Sequence, residues 1–311
     1  VRRKVATVSA YLNTRVSLYS ERLWRDEHYA ALLRAALPDI PGTLVENGLK
    51  DLANIVPGND LRSLEQTIIA RLLEETLVLI RPLTGEARAF LTYWTERFEV
   101  TNLKALLRGK MTGDRPAALI ARLTPMGAFG HLDIHELAHA EDVSELLRRL
   151  EAGHYAGIVR NARRAFEESH DPFILDAALD RAYYEGLARR AQPMESEAGQ
   201  PFKRLMAGLI DRINLVWLLR YRFNYNLPPA QVYFLLVGSR YSLPSKHLRE
   251  LAALGSMEDV LAALPERMAA LLAGVNDIPE VFQRMERAAA ETALGVLHSG
   301  APPMARAFAY L

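Results

Sequence analysis

The sequence predicts an all-α protein, on three observations. Leu, Ala, Arg and Glu dominate the 311 residues. Apolar residues recur at i, i+3, i+4 and i+7, the period of a half-buried helix. A ten-residue phrase occurs twice. Residues 99–108 read Glu99-Val-Thr-Asn102-Leu103-Lys-Ala-Leu106-Leu107-Arg108, and residues 211–220 read Asp211-Arg-Ile-Asn214-Leu215-Val-Trp-Leu218-Leu219-Arg220. Both fit acid-x-x-Asn-Leu-x-x-Leu-Leu-Arg at a spacing of 112 residues, so one helical unit is repeated.

Along the chain, Leu64–Leu72 and Val143–Leu150 carry the helical period clearly. Pro and Gly mark breaks at 38–42, 57–58, 82–85, 113–116, 125–130, 228–229 and 300–303. No run of alternating strands and no strand–helix alternation is present. The best strand candidate, Gln231–Val237, reads equally well as a buried helix.

The repeat extends beyond the phrase. Phe90 precedes Glu99 by nine residues and Phe202 precedes Asp211 by nine. Pro116 and Pro228 each follow the terminal Arg by eight, and Leu123 and Leu235 keep the 112 spacing. A third copy begins: Glu141-Asp142-Val143 recurs as Glu258-Asp259-Val260, and Ala87-Arg-Ala-Phe90 as Ala305-Arg-Ala-Phe308. Three units are therefore expected, at 1–114, 115–230 and 231–311. A third acid-x-x-Asn-Leu would start near 317, so the third unit is expected to lack its C-terminal motif helix.

The acid and the Asn at i and i+3 share a helix face. Phe98, Asn102 and Leu106 line one stripe, as do Ile210, Asn214 and Leu218. An Asn on an apolar stripe is buried and requires hydrogen-bond partners, most simply backbone groups of a neighbouring helix end or loop. Glu99, Asn102, Leu103, Arg108, Asp211, Asn214, Leu215 and Arg220 thus read as an orientation device and not as catalytic groups.

Composition excludes several classes. Bases and acids nearly cancel, 38 against 37, which argues against a nucleic-acid binder. With no cysteine there is no disulfide, thiolate metal site or cysteine nucleophile. No apolar run reaches the roughly 18 residues that span a bilayer. Val1-Arg-Arg-Lys-Val lacks the apolar region of a signal peptide, and without a leading Met the N-terminus is expected to be trimmed.

Three patterns offer chemistry. His135-Glu136-Leu-Ala-His139 is a literal H-E-x-x-H, in which two His bind zinc and the Glu acts as base, with Glu167, Glu168 or His154 as third ligand. The extended metalloprotease pattern needs Gly at 142 and His at 145, where Asp142 and Glu145 stand. Glu136-Leu-Ala138 aligns with Glu250-Leu-Ala252, flanked by Arg249 and Ala253, so the core reads as framework and the histidines as surface. Arg220-Tyr-Arg-Phe-Asn-Tyr225 interleaves bases and aromatics, either to stack RNA bases or as the core-facing end of the repeat helix; charge balance favours the second. Gly109-Lys110 lacks the upstream Gly and following Ser/Thr of a phosphate loop, and no dinucleotide fingerprint or nucleophile elbow occurs.

These motifs resemble the C/d subunit family of V-type and archaeal A-type rotary ATPases. The resemblance runs from Tyr11-Leu-Asn-Thr-Arg15-Val16 through residues 98–110, Leu179-Asp-Arg-Ala-Tyr-Tyr-Glu185 and residues 210–222 to Asn224-Tyr-Asn-Leu-Pro228 and Ala307-Phe-Ala-Tyr-Leu311. It implies a helical funnel of three units about a pseudo-threefold axis. It also implies a non-catalytic, cofactor-free rotor socket, peripheral on the cytoplasmic face of the membrane. There it would join central-shaft subunits of the D and F type to the proteolipid ring and pass torque between ATP chemistry and ion movement. The alternatives are a zinc-dependent hydrolase using His135, Glu136 and His139, and a generic helical scaffold.

Overall fold

A computed structural model describes residues 2–46, 61–169 and 171–311. The proline-glycine break expected at 57–58 lies outside the described residues. Within them the chain is helical and has no strand. It divides into two compact units, residues 1–149 with 310–311, and residues 150–309.

The first unit contains α1 (Arg2–Ser20), α2 (Asp26–Arg34), α3 (Ile40–Glu46), α4 (Leu61–Ile80), α5 (Gly85–Thr112), α6 (Pro116–Arg122), α7 (Ile134–Ala138) and most of α8 (Val143–Leu150). The break expected at 38–42 is displaced: a 3₁₀ turn at Leu37–Asp39 leads into α3, which runs through Pro41 and Gly42. Pro41 falls in the first turn of α3, where no intrahelical partner awaits its missing N–H.

Helix α5 is the axis of this unit. Phe90, Leu91, Leu103, Leu106 and Leu107 are fully buried along it, each contributing about 1.5–3 kcal/mol by leaving water. It ends where Gly113 enters the left-handed region (φ 73°) and donates to the carbonyls of Gly109 and Lys110. One turn earlier α6 closes on α5 so tightly that a Cβ on Gly109 would sit 2.0 Å from Leu119 Cδ2. Leu119 is itself buried, so a larger residue here would force its packed side chain to move. At the other end of the unit Tyr310 stacks on Tyr19 at 5.5 Å and its hydroxyl donates to Glu75.

The second unit holds α9 (Ala156–Ser169), α10 (Pro172–Leu219), α11 (Pro229–Leu235), α12 (Ser245–Ala252), α13 (Met257–Ala262), α14 (Glu266–Leu271), α15 (Ile278–His298) and most of α16 (Pro303–Tyr310). The strand candidate at 231–237 is resolved as helix α11 followed by extended residues, with Pro229 in its first turn. Helix α10 packs against α9 and α15. Ile174, Leu215, Leu218 and Leu219 from α10 and its neighbours Val232, Leu248, Leu251, Val260, Val281 and Met285 form one core. Phe202 and Phe308, matched by the repeat register, meet at 5.3 Å.

α10 is not one straight rod. Gly199 breaks it at φ 69°, ψ −161°, a region only glycine occupies comfortably. Pro193, Gly199 and Pro201 signal the break in the sequence, but the helical period on both sides hides it. Among the described residues no helix is long and apolar enough to cross a membrane.

Candidate functional site: a repeated side-chain clamp

The repeated phrase does the same thing in each copy. In the first, Asn102 is buried and its amide pairs with one residue of the loop after α6. Nδ2 donates to the Thr124 carbonyl at 2.7 Å, and Oδ1 accepts from the Thr124 N–H at 2.8 Å. In the second, Asn214 donates to the Val237 carbonyl at 3.0 Å and accepts from the Val237 N–H at 2.8 Å. An amide carries a donor and an acceptor side by side, so it closes on both groups of one extended residue.

The acid one turn earlier takes two consecutive backbone N–H groups farther along the same loop. Glu99 Oε1 accepts from His131 and Leu132 at 2.7 and 2.8 Å. Asp211, one methylene shorter, uses both oxygens, accepting from Ser242 at 3.0 Å and Leu243 at 3.1 Å. Both carboxylates are buried.

A third member lies outside the phrase. Lys110 Nζ donates to the Ala138 carbonyl at 2.6 Å, at the C-terminus of α7. Arg222, 112 residues on, donates to the Ala252 carbonyl at 2.8 Å, at the C-terminus of α12. Its other nitrogens reach Leu227 and Leu254 carbonyls at 3.0 and 3.1 Å. A cation is favourable at a helix C-terminus, where carbonyls lack partners. Acid, Asn and cation stand at i, i+3 and i+11. In α5 eleven residues make three helical turns, so all three lie on one stripe. Arg222 instead reaches its carbonyls from a π-helical turn at Arg220–Asn224 that continues α10. The Glu-Leu-Ala alignment marked the receiving helices, but the cations hid in what read as a degenerate phosphate loop and an aromatic-basic run.

The remaining phrase positions are simple. Leu103 and Leu215 are fully buried, whereas Arg108 and Arg220 are exposed. The aromatics of 220–225 belong to the core end of α10. Tyr221 is buried, and Phe173 packs on Tyr221 at 5.2 Å and stacks on Tyr225 at 4.2 Å. Burial pushes the Tyr221 hydroxyl far above its ordinary value.

His135 lies in α7 and His139 caps its C-terminus. α7 is only five residues long, capped by Asp133, which accepts from Glu136 N–H. His139 Nδ1 lies 2.7 Å from the His135 carbonyl, and the Glu136 carboxylate faces Arg149 at 3.6 Å. Among the described residues this trio joins no group of three potential ligands. The Glu168 side chain lies outside the described residues.

Asp211 gives the clamp a pH dependence of unusual sign. Burial raises its pKa above 3.8, and the hydrogen bonds from Ser242 and Leu243 offset this only in part. A carboxyl raised in the folded state contributes stability fully below its unfolded pKa and loses it as pH rises through the folded value. The stability advantage of wild type over Asp211→Asn is therefore expected to shrink as pH rises from the ordinary aspartate range, about 3.9, through the raised folded value. Urea midpoints of the two proteins across that window check it; an advantage that grows with pH would refute it.

Sequence comparison relates this chain to known proteins. The C subunit of the A-type ATP synthase of Methanocaldococcus jannaschii is 25% identical over 260 residues, covering 82% of this chain and 64% of that protein. The protein of the same name from Methanothermobacter thermautotrophicus is 27% identical over 212 residues, covering 68% and 54%. That from Methanosarcina mazei is 24% identical over 257 residues, covering 81% and 69%. The chain thus spans less than two thirds of the length of the first two. Residues 12–311 match the ATP synthase (C/AC39) subunit family throughout, and the chain belongs to that family.

Proposed function

We propose that this chain is a non-catalytic rotor subunit of an A-type or V-type ATPase. In this reading it seats the central shaft, made of D- and F-type subunits, caps the proteolipid ring, and passes torque between them at the cytoplasmic face of the membrane. The observation that carries the reading is family membership over residues 12–311, with relatives named as the C subunit of A-type ATP synthases. The clamp supports it physically. Two long helices each hold a loop and a helix end through buried hydrogen bonds, which resist shear better than apolar contact alone because they are directional. A part under torque needs that resistance. The three-unit collar, at 1–114, 115–230 and 231–311 about a pseudo-threefold axis, belongs to the same proposal.

The test is recovery of partners. An affinity-tagged copy expressed in its own host is expected to bring down shaft subunits and proteolipid in fixed proportion. Recovery of neither from gently solubilised membranes would overturn the proposal.

A further inference from the structure

The corner in α10 is held from both sides by one short loop. Before the corner, Glu195 Oε1 accepts from the Tyr241 hydroxyl at 2.7 Å and pairs with Arg240 at 2.9 Å. After it, the Asp211 carboxylate accepts from Ser242 and Leu243. Four consecutive residues, 240–243, therefore connect the helix segment at 172–198 to the segment at 200–219.

We infer that loop 240–243 is a strut that sets the bend angle at Gly199. Three points support this. Gly199 has no side chain, and its φ of 69° is open to rotation that an ordinary residue would resist. Pro193 removes an intrahelical donor before the corner, and Pro201, in the first turn after it, has no N–H to reach back across it, so the backbone ladder alone does not hold the angle. The Glu195 side chain is only 11% exposed, so the bond it takes from the Tyr241 hydroxyl is sheltered from water, whereas Arg240 pairs with it from a half-exposed position. The brace is peculiar to this copy. The 112-residue register puts Leu83 where Glu195 stands, and Leu83 offers no acceptor on its side chain. The strut governs the stiffness of one unit and stands apart from the subunit's role.

Spin-label distances read the angle directly, and the absence of cysteine from the sequence makes labelling specific. One pair, Arg189→Cys with Arg204→Cys, spans the corner; both positions are exposed. A second pair, Arg204→Cys with Arg220→Cys, lies wholly on the far side of the corner and reports general loosening. In a Tyr241→Phe, Arg240→Ala background the corner is tied at one end instead of two. The cross-corner distance distribution is then expected to widen about twofold, with the second pair unchanged. Glu195→Gln, which keeps an acceptor for Tyr241 but loses the charge, is expected to give an intermediate width. An unchanged cross-corner width would overturn the inference. So would equal widening of both pairs, since that is loss of order and not release of a strut.

Discussion

Asn214→Ala is expected to lower the unfolding free energy by about 3–5 kcal/mol. The variant loses two hydrogen bonds and strands the N–H and carbonyl of Val237, a residue 1% exposed. Each stranded buried group costs about 1–3 kcal/mol, and the small cavity adds to it. Asn102→Ala is expected to cost less, about 2–3 kcal/mol, because Thr124 is only half buried and water can replace part of the pairing. Asn214→Asp separates geometry from volume. It keeps the shape and the acceptor but has no donor for the Val237 carbonyl, and it adds a buried charge. It should fall as far as alanine at neutral pH and recover when acidified. Urea unfolding followed by circular dichroism measures all three; an Asn214→Ala loss below about 1 kcal/mol would remove the clamp as a source of stability.

Arg222→Ala is expected to cost about 2–4 kcal/mol, since three carbonyls lose a charged donor at once. Lys110→Ala removes a single bond, to Ala138, and should cost about 1 kcal/mol. The informative comparison is Arg222→Lys. An ammonium keeps the charge at the end of α12 but does not span three acceptors set around a planar fork. It should recover less than half of the loss. Full recovery would mean that only the charge matters at the helix end. Calorimetric unfolding of the four proteins decides the order.

Much of this architecture was legible in the residues because helix periodicity and the repeat spacing are properties of one segment at a time. All-helical structure, the buried Asn on its apolar stripe and the matching of Phe202 with Phe308 follow from such local patterns. The partners of the clamp were not legible. Thr124, Val237, His131 and Leu243 take part through backbone groups, which every residue except proline possesses in full. Nothing in their side chains advertises the contact. The Gly199 corner was hidden for a related reason: Met194, Ala198 and Phe202 are buried on both sides of it, so the apolar period runs on through the break. The H-E-x-x-H string shows the converse. Its spacing is right for a metal only if a helix extends beneath both histidines, and α7 ends as it reaches the second.

The clamp is largely one-sided: one helix supplies the acid, the amide and the cation, and the other partner answers with peptide groups, joined only at Asp211 by the Ser242 side chain. Such a joint is portable. Three residues written on any exposed helix stripe could engage any loop of suitable path, whatever that loop's spelling. The loops of the two copies share only the leucine of Gly130-His-Leu-Asp133 and Tyr241-Ser-Leu-Pro244, without changing how they are gripped. Duplication of such a unit leaves its loops free to acquire new surfaces while the grip is inherited intact.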